Sequence, residues 1–126
     1  MNAATMPAPQ LAMLLARTAD GICAESAAVA LIAAHDCFLH QPAFRRIIAA
    51  GSAAGTGEPV ALIRWNAVIW ALDHGRLPCS PSEKAVLAIA ASIAEPGIAV
   101  RLGAHLGSLD RRNIALVTSA ITAANG

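Results

Sequence analysis

The residues best suited to chemistry in this chain of 126 residues are Arg111, Arg112 and Asn113, which directly follow Asp110. Aspartate is a favoured N-cap residue, so the three donor side chains are expected in the first turn of a helix. Arginine side chains bind guanine edges and phosphates, and asparagine binds adenine. This spacing therefore predicts a nucleic-acid contact at the start of a helix.

The surroundings of these donors are typical of a helix-turn-helix over residues 98–124. Gly107 is the expected bend between the two helices, and Thr118 is a further polar group on the recognition helix. No basic residue follows Arg112, and the formal net charge of the chain is only +1. Because DNA-binding domains usually present a basic face, a DNA-binding transcriptional regulator is the alternative interpretation of this chain.

Histidine and cysteine side chains are too scattered to predict a metal site. His35, Cys37 and His40 lie close in sequence, but no second pair of ligands repeats their spacing. A G-x-S-x-G turn is absent, and no cysteine stands beside a histidine at the start of a recognisable helix. We therefore predict no metal, no cofactor and no enzymatic activity.

A second group of residues favours contact with another protein. Phe44, Arg45, Arg46 and Ile48 combine apolar and cationic side chains on one short helix, which is a mixed surface suited to a partner. The competing interpretation places Phe44 in the core and the arginines in solvent. The main functional prediction is a small non-enzymatic α-helical protein-interaction module that binds a protein partner or associates with itself as a homodimer.

Composition limits the surroundings in which such a module works. No window contains the ~18 uninterrupted apolar residues of a membrane-spanning helix, so no membrane partner is expected. Three cysteines without CxxC spacing indicate free thiols, and a cytoplasmic location is predicted. Alanine supplies 31 residues and arginine eight of the nine basic ones, which is typical of a GC-rich bacterial genome.

Apolar residues recur at three and four positions, and the fold class predicted is all-α. We expect a single-domain bundle of five to seven short alanine-rich helices, with a helix-turn-helix-like C-terminal half. Residues 1–8 are expected to be disordered. Residues 51–57 read as a flexible glycine-rich linker between a helix ending at Ala50 and one starting at Glu58 or Pro59.

Three local features are also predicted. Ser80 and Glu83 form a capping box at the start of one helix, and Asp110 caps another. The helix after Asp110 is expected to bury Ile114, Val117 and Ile121. Both tryptophans, Trp65 and Trp70, are expected in the core.

Overall fold

A computed structural model describes residues 2–126 of the chain. Within that range the chain forms seven α-helices, one turn of 3₁₀ helix at Phe38–His40 and two strands. In chain order these are α1 (Ala8–Ala19), α2 (Cys23–His35), α3 (Pro42–Arg45), β1 (Ile48–Ser52), β2 (Pro59–Ile63), α4 (Trp65–Asp73), α5 (Pro81–Ala94), α6 (Leu102–Leu106) and α7 (Arg111–Ala124). The prediction of a helical protein is confirmed in outline, but it left out the strand pair.

The strands β1 and β2 form an antiparallel hairpin, in which Ile48 pairs with Ile63 and Ser52 with Pro59. Residues 48–50 therefore belong to a strand rather than to the end of a helix. The 51–57 segment finishes β1 and forms most of the hairpin loop, so it does not link two helices. Gly55 and Gly57 have φ angles of 89° and 70°, which residues with a side chain rarely adopt, and they let the loop reverse direction.

The core is built around α2 and α5. α2 packs against α1, α5 and α7, while β2 packs against α1. Seven consecutive residues of α5, from Ala85 to Ala91, are buried. Because alanine occupies many of these positions, the neighbouring helices can approach closely and bury α5 on all sides.

Both predicted helix caps are present. The Ser80 hydroxyl accepts a hydrogen bond from the Glu83 amide at 3.2 Å, and the Glu83 carboxylate accepts one from the Ser80 amide at 2.7 Å. The Asp110 carboxylate accepts a hydrogen bond from the Asn113 amide at 2.7 Å. These reciprocal bonds satisfy backbone donors that a helix start otherwise leaves free.

The tryptophan prediction is confirmed for one residue and wrong for the other. Trp65 is 5% exposed, but Trp70 is 53% exposed. The Trp70 ring stacks on the His74 ring at a centroid distance of 4.1 Å. Trp70 and His74 are one helical turn apart. Each ring therefore covers one face of the other, although Trp70 lies outside the core.

The N-terminal segment, expected to be disordered, packs onto the rest of the chain over residues 2–8; the expectation for Met1 lies outside the described residues. Ala3 is buried in the core. The Arg45 guanidinium donates hydrogen bonds to the carbonyl oxygens of Ala3, Ala4 and Met6. These bonds hold the segment against α3.

Candidate interaction face and polar junction

The start of α7 is fixed to α5 through Asn113. Its side-chain amide donates a hydrogen bond to the Ser82 hydroxyl at 2.8 Å, and the same hydroxyl accepts one from the Asp110 amide at 3.4 Å. Asn113 is only 3% exposed. The structure therefore places Asn113, which was predicted to contact a nucleic acid, in the interior with its side-chain amide bonded to Ser82.

Arg112 joins α7 to α2. Its guanidinium donates a hydrogen bond to the carbonyl oxygen of Ala34 at 2.9 Å, in the last turn of α2. Cations are favourable beside the C-terminal carbonyls of a helix because the helix dipole is negative there. This bond gives Arg112 a structural role, although the residue is exposed.

His35 lies close enough to Glu83 and Arg112 for both charges to act on it. We call the set of His35, Cys37, Glu83, Arg112 and Asn113 the polar junction. The Cys37 thiol donates to the Glu83 carboxylate at 2.8 Å. Burial and this carboxylate raise the pKa of Cys37 to about 11. The hydrogen bond from Cys37 in turn lowers the pKa of Glu83. The thiol is therefore protonated at neutral pH and serves as a donor, not as a nucleophile.

His35 is buried at the end of α2, where its ring stacks on Phe38 at 5.5 Å. Burial lowers the pKa of His35 from its usual 6.5, and the cation of Arg112 acts in the same direction. The carboxylate of Glu83 opposes this shift. A histidine in this position is neutral at physiological pH, so the junction holds it as an uncharged ring.

The polar junction also contains unsatisfied groups. Across residues 2–126, three buried side-chain atoms make no hydrogen bond, and they are His35 Nδ1, Gln41 Oε1 and Asn113 Oδ1. Gln41 belongs to the same region because its amide donates to the Cys37 sulfur at 3.4 Å. Each buried polar atom without a partner costs about 1–3 kcal/mol. The hydrogen bonds of the polar junction fix the positions of its side chains, but its unpaired atoms lower the stability of the fold.

The remaining residues of the predicted nucleic-acid contact, Arg111 and Thr118, are exposed on α7. α6, the helix before the bend, has only five residues and buries none of them. Three of the four predicted donors are thus exposed, with Arg112 also bonded to α2, and the helix meant to support them is a single exposed turn. This placement gives little support to a helix-turn-helix that reads base edges.

The predicted partner surface around α3 is also corrected by the structure. Phe44 is completely buried, and Ile48 is buried at the start of β1. Arg45 donates to backbone carbonyls of the N-terminal segment, as described above. Arg46 alone is exposed, and its carbonyl oxygen accepts a hydrogen bond from Arg64 at 3.1 Å. Because Phe44 and Ile48 are buried, these four residues do not form the mixed surface that the sequence suggested.

No family model, curated protein or solved structure matches this chain. Among residues 2–126, no group of three or more His, Cys, Asp or Glu side chains is arranged to hold a metal ion. Over the same range, none of the helices combines the length and apolar character needed to cross a bilayer. The function must therefore be inferred from the contacts, burial and charges of this chain.

An exposed apolar face does exist on α7, and sequence reasoning missed it. Ile114 and Ile121 are 43% and 51% exposed, whereas the prediction buried both. Val117 is buried as predicted, and the other buried residues of α7 are Asn113 and Ala120. We call Ile114, Thr118 and Ile121, with Asn125 just after the helix, the outer seam of α7.

The outer seam has the spacing and chemistry of a helix-packing surface. Its positions are separated by four, three and four residues, which is the alternation that keeps a coiled-coil seam on one side of a helix. Residues 113–126 include no charged side chain. The Thr118 hydroxyl donates to the Ile114 carbonyl at 2.8 Å, so its polar group is already bonded within α7. A second helix could cover this seam without burying a charge or an unpaired donor.

Proposed function

We propose that this chain is a non-enzymatic protein-interaction module that pairs with a second copy of itself through the outer seam of α7. The observation that carries the proposal is the pair Ile114 and Ile121, half exposed on a helix that has no charged side chain after Arg112. Exposed apolar side chains that share one face mark contact surfaces more often than isolated ones do. The free thiols of all three cysteines support a reducing, cytoplasmic setting.

A second copy is favoured as the partner because the seam is electrically suited to antiparallel pairing. Arg111 is exposed at the start of α7, where the positive end of its own helix dipole disfavours a cation. In a two-fold symmetric pair of antiparallel helices, Arg111 lies beside the negative C-terminal end of the other α7. Self-association thus adds a favourable interaction between Arg111 and the partner's helix dipole to the unfavourable one with its own.

The proposal is tested by the oligomeric state in solution. Analytical ultracentrifugation over a wide range of protein concentration should show a reversible monomer–dimer equilibrium for the wild type. Ile121→Asp places a charge in the middle of the seam and should give only monomer. The matched control is Met13→Asp on α1, because Met13 is also exposed, at 63%. A wild type that stays monomeric at every concentration, or an Ile121→Asp variant that still dimerises, contradicts the proposal.

DNA binding is the second candidate, favoured by the exposure of Arg111, Arg112 and Thr118 on α7. Fluorescence anisotropy with labelled duplex DNA at two salt concentrations tests it, because phosphate contacts weaken as salt rises. Salt-dependent binding that Arg111→Ala removes and Ile121→Asp preserves would favour DNA over self-association. Absence of binding at low salt contradicts this candidate.

A further inference from the structure

A cavity of about 400 Å³ lies between α1, the start of α2, β2 and the end of α5. Its walls are mostly apolar, and Leu15, Val29, Ile63 and Trp65 are among the residues that form them. The volume falls within the range of roughly 300–1,000 Å³ that small-molecule sites occupy. None of the lining residues belongs to α7, so the cavity is separate from the outer seam.

The mouth of the cavity accounts for two otherwise unexplained apolar side chains. Ile22 and Leu62 line it, and they are 60% and 47% exposed. Apolar side chains at the edge of an apolar cavity can close around a bound ligand and leave water when it enters.

The charged groups of the cavity all have the same sign. Glu25 and Glu95 line it, and no lysine, arginine or histidine is among the lining residues. The indole nitrogen of Trp65 donates to both carboxylate oxygens of Glu25, at 3.0 and 3.2 Å. An ionised carboxylate accepts about four hydrogen bonds, so Glu25 can accept further donors while it stays bound to Trp65.

The other polar side chain in the wall is already satisfied. The Thr18 hydroxyl donates to the Leu14 carbonyl at 2.8 Å and accepts a bond from the Ala61 amide at 3.1 Å. It therefore adds no free donor that would attract an anion or a carbonyl group. The free hydrogen-bond acceptors of the cavity are its carboxylates. A ligand that binds them must carry hydrogen-bond donors and a positive charge.

We propose that this cavity binds a small amphipathic primary amine, with the apolar body against Trp65 and the ammonium group on the Glu25 carboxylate. Three N–H donors of an ammonium group suit the free lone pairs of a carboxylate that Trp65 fixes in place. The nearby Glu95 strengthens the negative potential around the bound cation. The aromatic face of Trp65 also attracts cations.

Phenethylamine is a suitable probe, and Trp65 reports on its binding. The measurement uses the Trp70→Phe variant, because removing exposed Trp70 leaves Trp65 as the single tryptophan. A saturable change of Trp65 fluorescence is expected with phenethylamine. Phenethyl alcohol, which has the same apolar body without the charge, should bind at least about tenfold more weakly, in line with the strength of charged hydrogen bonds. Phenylpropionate, which has the opposite charge, should bind more weakly still.

The carboxylate is tested by Glu25→Gln, which keeps an acceptor for Trp65 but removes the charge. We expect this variant to bind phenethylamine about tenfold more weakly, with only a small decrease in melting temperature because Glu25 lies in the first turn of α2. Glu58→Gln is the matched control, because Glu58 is an exposed glutamate of the hairpin loop. Equal binding of the alcohol and the amine, tighter binding of phenylpropionate, no saturable change, or full affinity of Glu25→Gln would each overturn the proposal.

Discussion

The two sides of α7 start at neighbouring residues, Asn113 and Ile114, but have different surroundings. Asn113, Val117 and Ala120 face the interior, while Ile114, Thr118 and Ile121 face outward. A rotation of about 100° separates the two rows. The inner row contains an amide and a small residue, and the outer row contains two isoleucines. Hydropathy alone would have buried the two isoleucines together with Val117 and left Asn113 outside.

The difference shows that α7 is oriented by its hydrogen bonds as much as by apolar burial. Asn113 and Arg112 bind Ser82 and Ala34 at fixed positions, and these bonds set the rotation of the helix. Ala120 then allows a close approach to the interior, where isoleucine would need more room. The isoleucines are left outside, where they become available to another chain.

The strongest test of this comparison is Val117→Asp, which places a charge on the inner row. Val117 is 4% exposed, so the variant should lose about 3 kcal/mol or more of unfolding free energy, or fail to fold. Urea denaturation at low protein concentration measures the loss. Thr118→Asp is the outer-row control, and it should change the free energy by less than about 0.5 kcal/mol. Similar losses in the two variants would break the comparison.

Asn113→Asp tests the polar end of the inner row. The new carboxylate would be buried near those of Asp110 and Glu83, and we expect a loss of about 2–3 kcal/mol at neutral pH. The control is Asn66→Asp, which makes the same change at an exposed site in the first turn of α4. Chemical denaturation of both variants decides the matter. A loss in Asn66→Asp as large as that in Asn113→Asp would show that burial at the junction is not the cause.

The pH dependence of stability tests the buried histidine of the polar junction. The pKa of His35 is lower in the folded chain than its usual 6.5, so the unfolded chain binds more protons in that range. Stability should therefore be fully present above pH 6.5 and fall as the pH drops from there through the lowered pKa.

His35→Gln should flatten this decrease when urea denaturation is repeated between about pH 7 and pH 5. His40→Gln provides the comparison, because His40 is exposed and paired with Asp36 at 2.8 Å. If only the His40 variant flattens the curve, His35 is not the group that titrates.

The smallest expected effect has opposite signs in the monomer and the dimer. Arg111→Glu replaces a cation at the start of α7 by an anion, which the helix dipole favours by about 0.3–1 kcal/mol. The monomer should become slightly more stable, while antiparallel self-association should weaken severalfold. Thermal denaturation at low concentration and sedimentation at high concentration measure the two effects. A variant that dimerises more strongly would exclude the antiparallel arrangement.

The parts of the fold that could be predicted from sequence are those with local signals. Ser80 and Asp110 precede their helices with the required capping chemistry, and both caps are present. The hairpin could not be predicted in this way. Its inner positions include Ala61, and alanine is as common in the helices, so no alternation of large apolar and polar residues marked the strands.

The polar junction and the outer seam were harder to predict, because they depend on contacts between residues distant in sequence. Asn113 was predicted to contact a nucleic acid because asparagine binds adenine, and only its bond to Ser82, 31 residues earlier, explains its burial. Phe44 was offered as a partner contact beside two arginines, but its ring packs on Phe38 at 5.3 Å. The one useful signal for the outer seam was present in the sequence, namely the run without charge from 113 to 126.

The contrast between α5 and α6 has a consequence for how the chain opens. α5 has buried side chains on all sides, whereas α6 is five residues long and buries none. So short a helix is not stable by itself in water, and little tertiary contact supports it. The segment around α6 should therefore exchange its amide hydrogens through small local fluctuations, while the amides of α5 exchange only on global unfolding. The connection that leads into α7 can thus loosen without opening the core.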